Sequence, residues 1–186
     1  MSTYQSTPYQ QTPPTYHTSV APARPPAVLV AAVGAAIGAA VLMSIGAVVV
    51  LAGVLDAAMQ QVADNPTFGG DKMDVSRVDP NSDRVRGLVT IFKVLSYDTI
   101  FWALVLAVLA YFALRGGRTT RILSTVILVV SEVVLAANLW FSYPMLAKAT
   151  GGLASVLALA AIVLFFLPAS NAYGKSRRAA KAAGQR

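Results

Sequence analysis

The sequence contains a run of 29 residues, 27 to 55, in which no side chain is charged. As an α-helix this run is about 43 Å long, whereas the hydrocarbon core of a bilayer is about 30 Å thick. Such a run is typical of a transmembrane helix, and its excess length indicates a tilt or an extension beyond the bilayer. The chain is therefore predicted to be an integral membrane protein.

Three further apolar runs follow, at about 99–114, 122–141 and 144–167. The chain is 56% hydrophobic and 12% charged, whereas soluble domains are about 45–50% apolar and about 25% charged. The last two links between spans are short, so successive helices must run antiparallel. We predict an all-α, polytopic membrane protein with a four-transmembrane-helix up-down bundle over residues 27–168.

Lys and Arg residues gather beside the ends of the predicted spans, in the link after the second span and in a basic tail over 169–186. Positive charge in short flanking segments favours the cytoplasmic side of a membrane. Both termini are therefore predicted to be cytoplasmic, and the net charge of +7 indicates contact with the lipid bilayer, not with nucleic acid. These membrane-surface residues are Arg115, Arg118, Arg121, Lys175, Arg177 and Arg178.

The loop at 56–98 holds seven of the eight acidic residues and is predicted to face outward. Within it, Ser82 can cap an amphipathic extracytoplasmic helix. This helix lies on the outer leaflet or against the bundle, or it is a simple extension of the second span, and the sequence favours neither reading. Its apolar side would consist of Val85, Leu88, Val89, Phe92 and Leu95.

The N-terminal residues 1–26 are rich in Pro, Tyr and Gln and contain almost no aliphatic side chains. Such a segment buries too little apolar area to offset the entropy lost on ordering. We therefore predict a disordered cytoplasmic tail.

The third span carries one acid, Glu132, among Val, Leu and Ala residues. On a helical wheel the polar side chains of this span lie within an arc of about 140°, so they should point away from lipid. Three roles fit the acid: interhelical hydrogen bonding, a proton or cation relay, or pairing with a cationic group of another subunit. The polar stripe consists of Glu132, Ser124, Thr125, Ser131 and Asn138.

Small residues share one face of the first span. Gly34 and Gly38 form a small-x-x-x-small pair, which allows two helix backbones to approach closely. Gly46 and Gly53 lie on the same face. This face packs inside the bundle or drives dimerisation, and the pattern is compatible with both.

The sequence offers no motif for catalysis or for a cofactor. There is no cysteine and a single histidine, His17, which removes thiol, haem and zinc chemistry from consideration. Asp79, Asn81 and Asp83 have the spacing of the first half of a calcium loop, but Arg84 replaces its glycine and Thr90 its bidentate acid. We expect a turn and a helix cap there, no metal, no cofactor and no enzymatic activity.

The Pro/Tyr/Gln tail, the four Ala/Val/Leu-rich spans and the string FLPASNAYGKSRR that ends at Arg178 resemble the small four-span integral membrane proteins common in actinobacteria. This resemblance implies a plasma-membrane location. The polar stripe, the outer loop and the absence of catalytic motifs predict a non-enzymatic membrane scaffold or accessory subunit, with a membrane-protein partner or a homo-oligomeric arrangement. The alternative is a small proton- or cation-coupled transporter that uses Glu132.

Overall fold

The computed structural model describes residues 24–65, 72–115, 118–138, 143–182 and 184. The elements in this part of the chain are all helices. They are α1 (Ala27–Ala52), α2 (Val54–Asp64), a short 3₁₀ helix (Val75–Arg77), α3 (Asp83–Ala113), α4 (Arg118–Asn138), α5 (Met145–Phe166) and α6 (Pro168–Ala182). The predicted disordered tail lies almost wholly outside the described residues.

Four of these helices, α1, α3, α4 and α5, are long and apolar enough to cross a membrane. They correspond to the four predicted spans and confirm the all-α four-span bundle. The protein is thus a helical multi-pass membrane protein. α1 packs most extensively against α5 and α3, whereas α4 contacts α3 and α5 over smaller surfaces.

We call the end of the bundle at which α1 begins and α5 ends the tail end, and the opposite end the loop end. The core of the tail-end half consists mainly of small side chains of α1, α3 and α5, with Leu29, Leu106, Leu128 and Phe165 as its largest fully buried residues. Alanine lets these helices approach closely, which suits packing inside a membrane.

At the loop end, the helical chain continues past the first span, but with a break at Gly53. α1 ends at Gly53, whose φ of −111° and ψ of 29° are not helical, and α2 then runs to a C-cap at Asn65. The backbone N–H of Asn65 donates to the carbonyl of Gln61 at 3.2 Å.

The predicted amphipathic helix is the first half of α3, and it is continuous with the second span. Its N-cap is Ser82, whose side chain accepts a hydrogen bond from the N–H of Val85, as expected from the sequence. Val85 and Phe92 are fully buried against residues of α2 such as Ala57 and Ala58. The helix therefore extends the span, and its apolar side covers α2.

At the tail end, residues predicted only as a basic tail form α6. The sequence signals for this helix are Pro168 at its first position and the alanine-rich composition that follows. The Ser170 hydroxyl donates to the carbonyl of Leu164, and the Asn171 amide donates to that of Phe166, at 3.0 Å each. These bonds satisfy carbonyls at the end of α5 that have no partner within that helix.

Candidate functional site

A cleft of about 700 Å³ lies between the four spans in the loop-end half of the bundle. α1, α3, α4 and α5 all contribute to its lining. Apolar side chains dominate its walls, among them Met43, Val50, Leu95, Val130 and Leu135. A cleft of this size and character is typical of a ligand or docking site.

The cleft surrounds much of α4. Ser131, Glu132 and Leu135 line it from one side of this helix, and Val126 lines it from another. Val130, also in the lining, is 56% exposed. The loop-end half of α4 is therefore only loosely attached to its neighbours, and the cleft opens to the surroundings of the bundle.

The polar stripe of α4 divides into two parts. Glu132 and Ser131 are half-buried and face the cleft. Ser124 is fully buried nearer the tail end, and the half-buried Thr125 donates its hydroxyl hydrogen to the carbonyl of Arg121 at 2.9 Å. Asn138 is the last residue of α4, and its side chain lies outside the described part of the structure.

Leu128 separates the two parts of the stripe. Its side chain is fully buried and belongs to the same apolar cluster as Leu106 and Ala36. Because Leu128 is one helical turn from both Glu132 and Thr125, a continuous line of polar groups does not extend along α4. The lining of the cleft itself continues past this level, to Ile127 and Leu123.

Glu132 makes no hydrogen bond or ion pair with any residue that the structure describes. The nearest cation in the cleft lining is Lys148, which is exposed at the start of α5. A Cβ at Gly151 would lie 3.1 Å from Leu135 Cδ1, so these two residues share one level. Glu132 precedes Leu135 by three residues, and Lys148 precedes Gly151 by three. Because α4 and α5 run in opposite directions, Glu132 and Lys148 lie on opposite sides of that level, about 9 Å apart along the helix axes.

Other polar groups of the cleft come from α3 and from the start of α5. The Trp102 indole N–H donates to Asp98 at 3.1 Å, and the Thr99 hydroxyl donates to the carbonyl of Leu95 at 2.8 Å. Burial raises the pKa of Tyr143 to about 12, so its phenol remains protonated at neutral pH. These residues are distant from Glu132 in the sequence, and the sequence analysis did not predict that they line the same cleft.

The predicted packing glycines of α1 have different surroundings. A Cβ at Gly46 would lie 2.9 Å from Thr150 Oγ1, and one at Gly38 would lie 3.0 Å from Leu157 Cδ1, so both glycines face α5. Gly34 is exposed and has nothing within 4 Å of a Cβ, and a Cβ at Gly53 would meet only a carbonyl of its own helix at 3.8 Å. The close approach of α1 to α5 is therefore limited to the middle of α1, at Gly38 and Gly46.

The basic residues meet at the tail end. Arg121 is 5% exposed and donates from Nη1 to the carbonyl of Ser170 at 2.7 Å, which joins α4 to α6. Arg177 donates to the carbonyl of Arg115 at 3.4 Å, which joins α6 to the end of α3. Arg118 is exposed in the first turn of α4, and Lys175 is exposed on α6.

Within the described ranges, no group of three or more His, Cys, Asp or Glu side chains could hold a metal ion. The calcium-like spacing forms a turn instead, in which the N–H of Asn81 donates to the Asp79 carboxylate at 2.8 Å. The Ser82 hydroxyl donates to the Asp79 carbonyl at 2.8 Å. These bonds lead directly into the N-cap of α3.

No family model, curated protein or solved structure matches this chain.

Proposed function

We propose that the protein is a non-enzymatic accessory subunit or scaffold of a plasma-membrane complex, and that its cleft receives a transmembrane segment of another protein. The observation that carries this proposal is Glu132, an acid in the membrane that faces a cleft and has no partner among the described residues. A carboxyl group at this depth costs about 2.5–3.5 kcal/mol even on lenient insertion scales. A partner group that pairs with it offsets that cost.

The chemistry of the cleft specifies the partner. The partner helix must be apolar along most of its length, to pack against the aliphatic walls, and must bring one Lys, Arg or hydrogen-bond donor to the level of Glu132. A second copy of this chain does not supply such a cation, because its spans carry basic residues only near their ends, such as Arg121 and Lys148. A cation at this level must therefore come from a different protein, and this is the partner that we propose.

The orientation that we propose places both termini in the cytoplasm. Basic residues gather at the tail end, in short segments that flank spans, and this distribution favours the cytoplasmic side. Trp102 and Tyr143 lie toward the loop end, and such aromatic side chains are enriched at membrane–water interfaces. The cleft then lies in the outer half of the bilayer.

Affinity purification from a mild detergent, followed by mass spectrometry, tests this proposal. The unmodified chain should recover a stoichiometric membrane partner. Glu132→Ala should lower the recovery about tenfold, and Glu132→Gln should lower it less, because the amide keeps a hydrogen-bonding group. Ser44→Ala is the matched control, since the Ser44 hydroxyl bonds only within its own helix, to the carbonyl of Ala40. Equal recovery with all three variants would refute a role of Glu132 in docking.

A proton- or cation-coupled transporter is the second candidate. Its support is the continuation of the polar stripe on the far side of Leu128, where the Ser124 hydroxyl is buried and has no hydrogen-bond partner. We rank it second because the buried Leu128 interrupts the line of polar side chains along α4. In reconstituted vesicles a transporter would give a gradient-driven flux that Glu132→Gln abolishes, and an accessory subunit would give none.

A further inference from the structure

The tail end collects positive charge from three separate segments of the chain. Arg115 follows α3, Arg118 and Arg121 lie in the first turns of α4, and Arg177 and Arg178 lie on α6. The hydrogen bonds from Arg121 and Arg177 to carbonyls of other segments hold these elements together. The cluster is therefore a product of the fold and not only of a flexible tail.

No acidic side chain is present to balance these charges. The sequence has no Asp or Glu between Asp98 and Glu132, and none after Glu132. Arg178 lies close enough to Arg121 for the two positive charges to repel each other. An assembly of like charges with no counter-charge is unfavourable at the edge of a membrane, where screening by water is reduced.

The unusual member of the cluster is Arg121. Its side chain is 95% buried, and its Nε–H has no acceptor although Nη1 is bonded to Ser170. A buried guanidinium without a counter-ion is costly, and Arg121 lies in the first turn of α4, where the helix dipole adds further positive potential. The buried, unpaired charge and its position in the first turn of α4 both favour the binding of an anion.

We infer that the tail end binds the phosphate of an anionic lipid headgroup, at the place where Arg121 joins the first turn of α4 to α6. The exposed guanidinium groups of Arg118 and Arg178 contact the phosphate oxygens, for which the planar Arg group is suited. The charge of the phosphate offsets that of Arg121 beneath them. This inference is independent of what occupies the cleft.

Native mass spectrometry of the delipidated full chain tests the inference. With phosphatidylglycerol the protein should retain one lipid at energies that remove phosphatidylcholine, and its thermal unfolding midpoint should rise. Arg178→Gln should weaken retention of phosphatidylglycerol about fivefold. The matched control is Lys93→Gln, which removes the same charge at the loop end and should leave retention unchanged.

Arg118→Gln provides a second variant, in case Arg178→Gln fails to fold, because Arg118 is exposed and makes no described contact with α6. Equal retention of the two lipids, or equal losses with Arg178→Gln and Lys93→Gln, would overturn the inference. Inorganic phosphate that stabilises the protein as well as phosphatidylglycerol does would overturn the assignment to a lipid headgroup.

Discussion

The first and third spans, α1 and α4, differ in how many of their residues are buried and in which side chains form their surfaces. In the most apolar stretch of α1, 33% of the residues are buried, compared with 17% in α4. The buried residues of α1 are mostly alanine and Gly46, whereas the exposed side of α4 consists largely of valine, at positions 126, 129, 130, 133 and 134. Small residues allow helices to approach, and β-branched ones form a surface suited to lipid or to a partner.

This difference separates the structural part of the bundle from its functional part. α1 and α5 form a closely packed seam that holds the protein together. α4 is anchored near the tail end by Leu128 and Arg121, and its loop-end half borders the cleft with Glu132. Substitutions in α1 should therefore change stability, and substitutions in the loop-end half of α4 should change binding.

The largest loss of unfolding free energy is expected from Gly46→Leu. Even a Cβ at this position would lie 2.9 Å from Thr150 Oγ1 and 3.6 Å from the carbonyl of Ala147, so the seam must open, at a cost of about 3 kcal/mol. Detergent-denaturation curves measure this loss. The same substitution at Gly34, which meets nothing within 4 Å, should leave the unfolding free energy unchanged. Similar losses at both positions would mean that α1 packs differently.

Leu128→Ala should have the next largest effect, a loss of about 2 kcal/mol, because a cavity forms where a fully buried side chain was. The loss is at the low end of the usual range because this side chain stays in lipid when the protein unfolds. The substitution then removes packing contacts, but not the free energy of transfer out of water. Leu123→Ala, on the same helix but 45% exposed, is the control and should be nearly neutral in the same unfolding assay. If the two substitutions cost the same, α4 is not anchored through Leu128.

Ser124→Ala should have the smallest effect and the opposite sign. The Ser124 hydroxyl is buried without a hydrogen-bond partner, so its removal should raise the unfolding free energy by up to about 1 kcal/mol. Thr125→Val, which removes a hydroxyl bonded to the Arg121 carbonyl, should lower it by about 0.5–1 kcal/mol. A destabilised Ser124→Ala would indicate that this hydroxyl has a partner in the membrane, such as a bound water.

The sequence predicts much of the fold, because uncharged runs and cap residues are local signals. The four spans and the Ser82 cap could be predicted from residues that are neighbours in the sequence. The break at Gly53 and the helix α6 were not predicted. The break depends on the backbone conformation of one glycine, and α6 depends on Ser170 and Asn171 reaching back to carbonyls of α5.

The candidate site was less predictable than the fold. The wheel of α4 identified Glu132 and Ser131 as a polar face, but the cleft in front of them arises because α4 stays apart from the seam in its loop-end half. The contributions of α3, such as Asp98 and Thr99, depend on helix rotation and register. These quantities are determined by contacts between helices distant in sequence, which periodicity does not encode.

Site-specific cross-linking in native membranes tests whether another protein occupies the cleft. The chain has no cysteine, so a single cysteine at Val130 in the cleft lining can carry a short photo-cross-linker. The matched control is Val156 on α5, which is 64% exposed but does not line the cleft. We predict an adduct with a different membrane protein from position 130, its loss when Glu132→Ala is added, and no such adduct from position 156. Adducts with lipid alone at both positions, or the same protein adduct from each, would contradict a partner in the cleft.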